Sequence, residues 1–183
     1  MSRSQRLILT IAILASFVAF LDGTLINVAL PAIETELGGG LTTQQWVVDA
    51  YLITLGSLIL LAGSISDAFG RLLVLRIGLY GFAAASVVIA IAPDPVILII
   101  ARAVQGAAGA FLVPSSLALI TSRFDGAMRG RAIGIWTAMT TGAMIVGPLI
   151  GGVFVDYLSW RFAFVINVVP IGITLWLLHT LGE

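Results

Sequence analysis

Residues 7–30 read LILTIAILASFVAFLDGTLINVAL. Only one side chain in this stretch is ionisable, Asp22. A helix that crosses a bilayer needs about 20 consecutive, mostly apolar residues. The run is apolar on every face, without the polar-apolar alternation of a barrel strand. Helices and closed barrels are the two backbone arrangements that satisfy their own hydrogen bonds in hydrocarbon. Residues 7–30 therefore predict a membrane-spanning helix.

Five further runs have the same character, over 45–66, 73–92, 95–121, 131–155 and 161–181. Six helices with short connections use almost all of the 183 residues, which leaves no soluble domain. Composition agrees: 60% of the residues are hydrophobic and 10% charged, with a mean hydropathy of +1.13. A soluble domain carries about 25% charged residues. Nine basic residues, all Arg, balance nine acidic ones. There is no basic stripe of the kind that nucleic-acid binding requires. Cysteine is absent and His179 is the single histidine, so thiolate metal sites, disulfides and histidine-based catalysis have no foundation. The expectation is no enzyme and no cofactor. Arg3 and Arg6 give the first run a signal-peptide-like start. The run is longer than a signal peptide's apolar region and lacks its cleavage pattern, so it reads as an uncleaved first helix.

Arginine placement predicts orientation, because cytoplasmic connections are enriched in positive charge. The N-terminus and the even-numbered connections hold Arg3, Arg6, Arg71, Arg76, Arg123, Arg129 and Arg131. The odd-numbered connections, 31–44, 93–94 and 156–160, hold Glu34, Glu36, Asp94 and Asp156, with Arg161 at the last border. Both termini are thus expected in the cytoplasm. Pro31 is expected to close helix 1, and Gly38-Gly39-Gly40 to form a flexible external loop. Pro93-Asp94-Pro95 reads as a tight turn and Asp125-Gly126 as a break.

A faint repeat links the two halves of the chain. Gly63, Asp67 and Arg71 end helix 2 on one side, and Gly152, Asp156 and Arg161 end helix 5 on the other. This predicts two three-helix units of inverted topology, a mark of secondary transporters. Chance is the alternative, because the pattern is short.

Ionisable groups at mid-bilayer cost at least about 2.5–3.5 kcal/mol and are functional candidates by default. Three qualify: Asp22, Asp49 and Arg102. At about 1.5 Å per residue, Asp22 lies about 12 Å and Arg102 about 10 Å from the external side, and Asp49 about 6 Å. Asp22 and Arg102 are level and opposite in sign. A neighbouring cation favours the ionised carboxylate, and removal from water disfavours it. That opposition suits a group that takes and releases protons. A static ion pair, or for Asp49 a wetted interfacial group, is the bland alternative. Gln105 shares the helical face of Arg102, and Thr24, Asn27, Trp46 and Tyr51 are candidates for lining a substrate cavity. Each could equally satisfy a neighbouring helix. Gly106 and Gly109 in helix 4, and Gly134, Gly147, Pro148, Gly151 and Gly152 in helix 5, allow close approach and bending. Plain close packing explains any one of them.

Several stretches together resemble the major facilitator superfamily, and within it the drug/proton antiporters of the fourteen-helix type. Residues 21–31, LDGTLINVALP, resemble that family's helix-1 signature, and 45–52, QWVVDAYL, its helix-2 entry. Gly63, Asp67, Gly70 and Arg71 resemble the cytoplasmic loop signature between helices 2 and 3. Arg102, Gln105, Gly106 and Gly109 resemble the helix-4 signature, and Gly134, Gly147, Pro148, Gly151 and Gly152 the antiporter signature of helix 5. Ser159-Trp160-Arg161 and Ile166-Asn167-Val168 are also typical. Ala68 and Leu72 stand where the loop signature has basic residues, which weakens a gating role for that loop. Ala143, beside Gly142, stands where the antiporter signature has Gly.

The resemblance implies an all-α membrane protein, half of a major facilitator fold, in the cell membrane. Residues 1–183 match a single N-terminal six-helix domain. It implies proton-coupled efflux of lipophilic or cationic drugs by alternating access, with the proton gradient as energy source. Asp22, Arg102 and Asp49 would couple protons, and the loop 63–71 would gate. The family has twelve or fourteen helices, so a second six-helix half or a homodimer is the expected partner, together with lipid, substrate and protons. The alternative is a truncated or non-transporting helix bundle that assembles with another membrane protein.

Overall fold

The structure, a computed structural model, describes residues 1–181. Gly182 and Glu183, where the sequence reading ends a first half, lie outside the described residues. The chain forms α1 (Arg3–Leu37), α2 (Gly40–Phe69), α3 (Arg71–Ala90), α4 (Pro95–Arg123), α5 (Gly126–Tyr157), α6 (Trp160–Val165) and α7 (Val168–Leu181). Six segments are long and apolar enough to cross a membrane, with α6 and α7 sharing the sixth. The protein is a multi-pass, all-helical membrane protein.

The helices mostly outrun the apolar runs, because a helix continues through the polar interface until a cap or breaker stops it. At the start of α1, Ser2 and Gln5 form a reciprocal capping box. Asp94 caps α4, its Oδ1 accepting from the amides of Val96 and Ile97 at 2.9 Å, with Pro95 in the first turn. Proline fits there because its missing N–H has no partner to lose.

Two turn expectations need correction. Pro31 does not close α1; it lies inside the helix, which runs on to Leu37. Pro31 and Asn27, the residue whose carbonyl loses a donor, are both exposed, so the irregularity disturbs no packed neighbour. The expected loop 31–44 shrinks to Gly38-Gly39 between two helices. Both glycines have positive φ, 74° and 92°, which only glycine adopts without strain. Gln44 reaches back across this turn to the Glu34 carboxylate.

The sixth span is broken, which the sequence reading did not anticipate. Pro170 offers no N–H to the carbonyl of Ile166, and its ring crowds that carbonyl. The chain tightens instead, with the Asn167 amide bonding Phe164 O and the Val169 amide bonding Ile166 O, both at 3.2 Å.

The two most extensive helix interfaces are α2 on α4 and α5 on α1. They exchange when α1–α3 is swapped for α4, α5 and the broken sixth span, as an inverted repeat requires. Glycines set the approach. A Cβ on Gly106 would strike Tyr51 O and the Thr54 hydroxyl on α2, and one on Gly147 would strike the Thr24 hydroxyl on α1. Lipid gives helices no hydrophobic reason to associate, so such close packing carries the assembly. α2 and α5 keep most of their surface exposed. One apolar cluster groups Ala15, Ala19, Tyr51, Leu79 and Phe82. A second groups Ile26, Val47, Ile89, Leu98 and Phe164. Along α1, Asp22 falls between them.

Candidate functional site

Asp22 and Arg102 are fully buried, and among the described residues they are the only buried charged side chains. Arg102 Nη1 donates to Asp22 Oδ2 at 2.5 Å, joining α1 to α4 across 80 positions. The same nitrogen donates to Gln105 Oε1 at 2.6 Å, and Nε donates to the Val47 carbonyl of α2 at 3.0 Å. The guanidinium lies 4.3 Å from the centre of the Tyr51 ring and 5.9 Å from that of Phe164. A desolvated cation gains about 2 kcal/mol or more from such a ring face.

The second carboxylate oxygen is also held. Gln105 Nε2 donates to Asp22 Oδ1 at 3.1 Å and to the Ser86 hydroxyl of α3 at 2.9 Å. Ser86 in turn donates to Phe82 O at 2.8 Å. Asn167, at the break between α6 and α7, donates from Nδ2 to the same Asp22 oxygen at 2.7 Å. Two polar atoms of this network have no protein partner, Arg102 Nη2 and Asn167 Oδ1.

Two buried charges become tolerable when their geometry and remaining hydrogen bonds compensate for lost hydration. Here the pair is neutral overall. A proton on Asp22 leaves a net positive charge in a water-excluded site and weakens the tie between α1 and α4. The arrangement can therefore convert proton binding into a change of helix contact.

The structure brings Asp22, Arg102 and Gln105 together and leaves Asp49 out, exposed on α2. Asp49 sits beside Ala50, one of the few buried positions of α2, on the outward side of that helix. Of the cavity candidates, Thr24 and Tyr51 line a groove of about 270 Å³ between α1, α2, α4 and α5, with Phe20, Leu55, Val113 and Met144. Tyr51 thus borders this groove and also meets the buried pair through its ring. Its hydroxyl donates to Ala19 O at 3.2 Å. Trp46 and Asn27 are exposed, and the Asn27 amide turns back to Thr24 O at 3.4 Å.

The loop residues form a separate cluster. Gly70 is the one residue between α2 and α3, at φ 98°. Arg71 bonds Asp67 at 3.3 Å and the Ala118 carbonyl of α4 at 3.0 Å. Gly63 has open space at its Cβ position, as do Gly134 and Gly152. Gly109 meets Leu55, Phe82 and the Tyr51 hydroxyl, and Gly151 meets Leu25. Pro148 lies inside α5.

At the other end of the bundle, Arg161 bonds the Glu36 carboxylate at 2.8 Å and the Ala90 and Ala92 carbonyls at 2.9 Å. The Trp160 indole donates to Glu36 at 2.6 Å.

Sequence reasoning missed Asn167, Ser86 and Phe164 as members of the site. The signal for Asn167 was present: a lone amide in an apolar run, three residues before a proline. Ser86 carried none, since a serine in a membrane helix usually bonds its own backbone.

Residues 12–182 match the family model of the Major Facilitator Superfamily. The chain is 42% identical over 160 residues to the puromycin resistance protein pur8 of Streptomyces alboniger, covering 87% of this chain and 32% of that protein. It is 38% identical over 169 residues to the multidrug transporter protein MdtP of Bacillus subtilis, covering 92% and 31%. The chain thus spans about a third of the length of these curated relatives. A peptide transporter solved with sulfate superposes with a TM-score of 0.83 at 14% identity, over 94% of this chain and 37% of that one. The proton:xylose symporter XylE gives 0.79 at 20% identity, over 96% and 44%. At these identities the likeness shows the fold: six helices amounting to half of such a transporter. With its family model matched almost end to end, the chain belongs to the major facilitator superfamily, a family of membrane transporters and not of enzymes.

Proposed function

We propose that this chain is the proton-coupling half of a drug/proton antiporter, in which residues 1–183 form a single N-terminal six-helix domain. The observation that carries the reading is the buried Asp22–Arg102 pair, held at 2.5 Å between two different spans. Protonation of Asp22 from one side loosens α1 from α4, and release to the other side restores the tie. Drug binding in the groove beside Tyr51 is coupled to that exchange through this residue, which lines the groove and meets Arg102. The groove's aliphatic and aromatic lining suits lipophilic compounds, and the resistance and multidrug names of the relatives support that substrate class.

The exposed faces of α2 and α5 meet a second six-helix half, or a second copy, to complete the cavity. The protein resides in the cell membrane with both termini in the cytoplasm. Seven arginines at the terminal end of the bundle support that orientation. The outlying Asp49 has a different part, drawing cations toward the groove from α2.

The test is transport in everted membrane vesicles from cells producing the protein. An imposed proton gradient should drive uptake of a fluorescent lipophilic cation, and a protonophore should abolish it. Asp22→Asn should abolish uptake while leaving the protein in the membrane. Equal uptake with and without the protein would favour a non-transporting bundle.

A further inference from the structure

Asp22 has three side-chain partners, and they differ in what they can do when its charge changes. Arg102 is a donor only, since guanidinium has no acceptor. Gln105 has its Oε1 occupied by Arg102 and its Nε2 shared between Asp22 and Ser86. Asn167 is different: its Nδ2 donates to Asp22 and its Oδ1 has no donor. It is also fully buried.

We infer that Asn167 is the positioning residue that follows the protonation state of Asp22. Toward the carboxylate it presents Nδ2. Toward the carboxylic acid, a turn of the same amide presents Oδ1, which accepts the new O–H. Among the partners of Asp22, Asn167 alone has an acceptor with no donor already on it, so it alone offers the new O–H an unoccupied place. This rests on the reading above of Asp22 as the proton-exchanging group.

The fold explains why a residue 145 positions away takes this place. Asn167 lies in the two-residue break before α7, at the point that Pro170 keeps from closing into a regular turn. There its side chain leaves the sixth span toward α1. The ionisable side chains facing Asp22 are Arg102 of α4 and Tyr51 of α2; Asp49 of α2 is exposed and outside the cluster. The remaining packed elements keep theirs away from it. Arg71 and Arg76 lie near the start of α3, and Arg129, Arg131 and Asp156 near the ends of α5. Arg161 and His179 lie at the outer ends of the sixth span, and Tyr80 of α3 is exposed.

The experiment is carbodiimide modification of Asp22 across a pH series, in membranes containing the full chain, read by peptide mass spectrometry. The reagent attacks the protonated carboxyl, so labelling falls as pH rises and its midpoint reports proton binding. A charge-assisted hydrogen bond is about twice as strong as a neutral one. Asn167→Ala therefore removes more from the carboxylate than from the acid. Its midpoint should move to higher pH, by about fivefold in proton affinity. Asn167→Asp, which keeps size and shape, places a second carboxyl there and should move the midpoint further in the same direction. This second variant guards against a packing defect in the first. An unmoved midpoint in Asn167→Asp, with Asp22 titrating normally in the parent, would overturn the role of Asn167 alone. Asp22 labelling that does not vary with pH in the parent would overturn the proton-exchange reading and this inference with it.

Discussion

The Arg102 guanidinium lies 4.3 Å from the centre of the Tyr51 ring, face on, while the Tyr51 hydroxyl reaches across to Ala19 O on α1. One side chain thus stabilises the buried cation and bonds the neighbouring helix. Tyr51→Leu should cost about 2 kcal/mol or more by removing the ring face. Tyr51→Phe keeps the face and loses one hydrogen bond, about 1 kcal/mol. Thermal unfolding in detergent should rank the midpoints parent, Tyr51→Phe, Tyr51→Leu. Equal midpoints for the two variants, or the reverse order, would mean that the ring face contributes nothing beyond the hydroxyl's bond.

Removing one member of the buried ion pair strands the other. Arg102→Met should destabilise the fold by about 3–5 kcal/mol, because the Asp22 carboxylate loses its counter-charge. The double variant Asp22→Asn with Arg102→Met should be more stable than Arg102→Met alone, since no unpaired charge remains. A double-mutant cycle by denaturant unfolding measures the coupling directly. Additive single effects would deny the pair its energetic role.

The glycines of α4 and α5 divide by what surrounds them. Gly106→Ala would drive a methyl into Tyr51 O and Thr54, and Gly147→Ala into the Thr24 hydroxyl. Backbone and short side chains cannot yield easily, so each should cost about 1–3 kcal/mol or more. Gly134→Ala meets nothing within 4 Å and should be neutral or slightly stabilising. The yield of folded protein after detergent extraction separates the two groups. Equal yields would show that α2 and α5 can shift without penalty.

The Arg161 clasp joins α1, α3 and α6 through one fork. Glu36→Gln should cost at most about 1 kcal/mol, since Glu36 is half exposed and such pairs are weak. Arg161→Lys should cost more, because an ammonium cannot bond Glu36 and two carbonyls in the same planar fork. The measurement is protease sensitivity of the Gly38–Gly39 turn, which should rise more for Arg161→Lys than for Glu36→Gln. An equal rise would reduce the clasp to its ion pair.

The class of protein and most of the architecture were legible in the residues. An apolar run of membrane length has few foldable outcomes, because hydrocarbon forces the backbone to satisfy itself. Six such runs therefore announced six helical spans. The pairing of Asp22 with Arg102 was legible too, from depth and sign, since a lone charge in lipid has few places to go. Helix ends were less so. Hydropathy reports where the membrane is, whereas caps, glycines and the tolerance of Pro31 on an exposed face decide where the helix stops.

What only the tertiary structure decided was which polar residues meet. All faces of these helices are apolar, so periodicity says little about which face turns to a neighbouring helix and which to lipid. Asp49 and Asp22 are both carboxylates in apolar runs and differ in depth, and packing buries one and leaves the other exposed. Tyr51 reads as a cavity residue, and close approach at Gly106 places it against Arg102 as well. Asn167 reaches Asp22 because Pro170 breaks the sixth span at the level of the ion pair. The sequence by itself determined the solvent of each segment, through the cost of polar groups in hydrocarbon. The assembled bundle determined the partners, through interhelical contacts between residues as much as 145 positions apart.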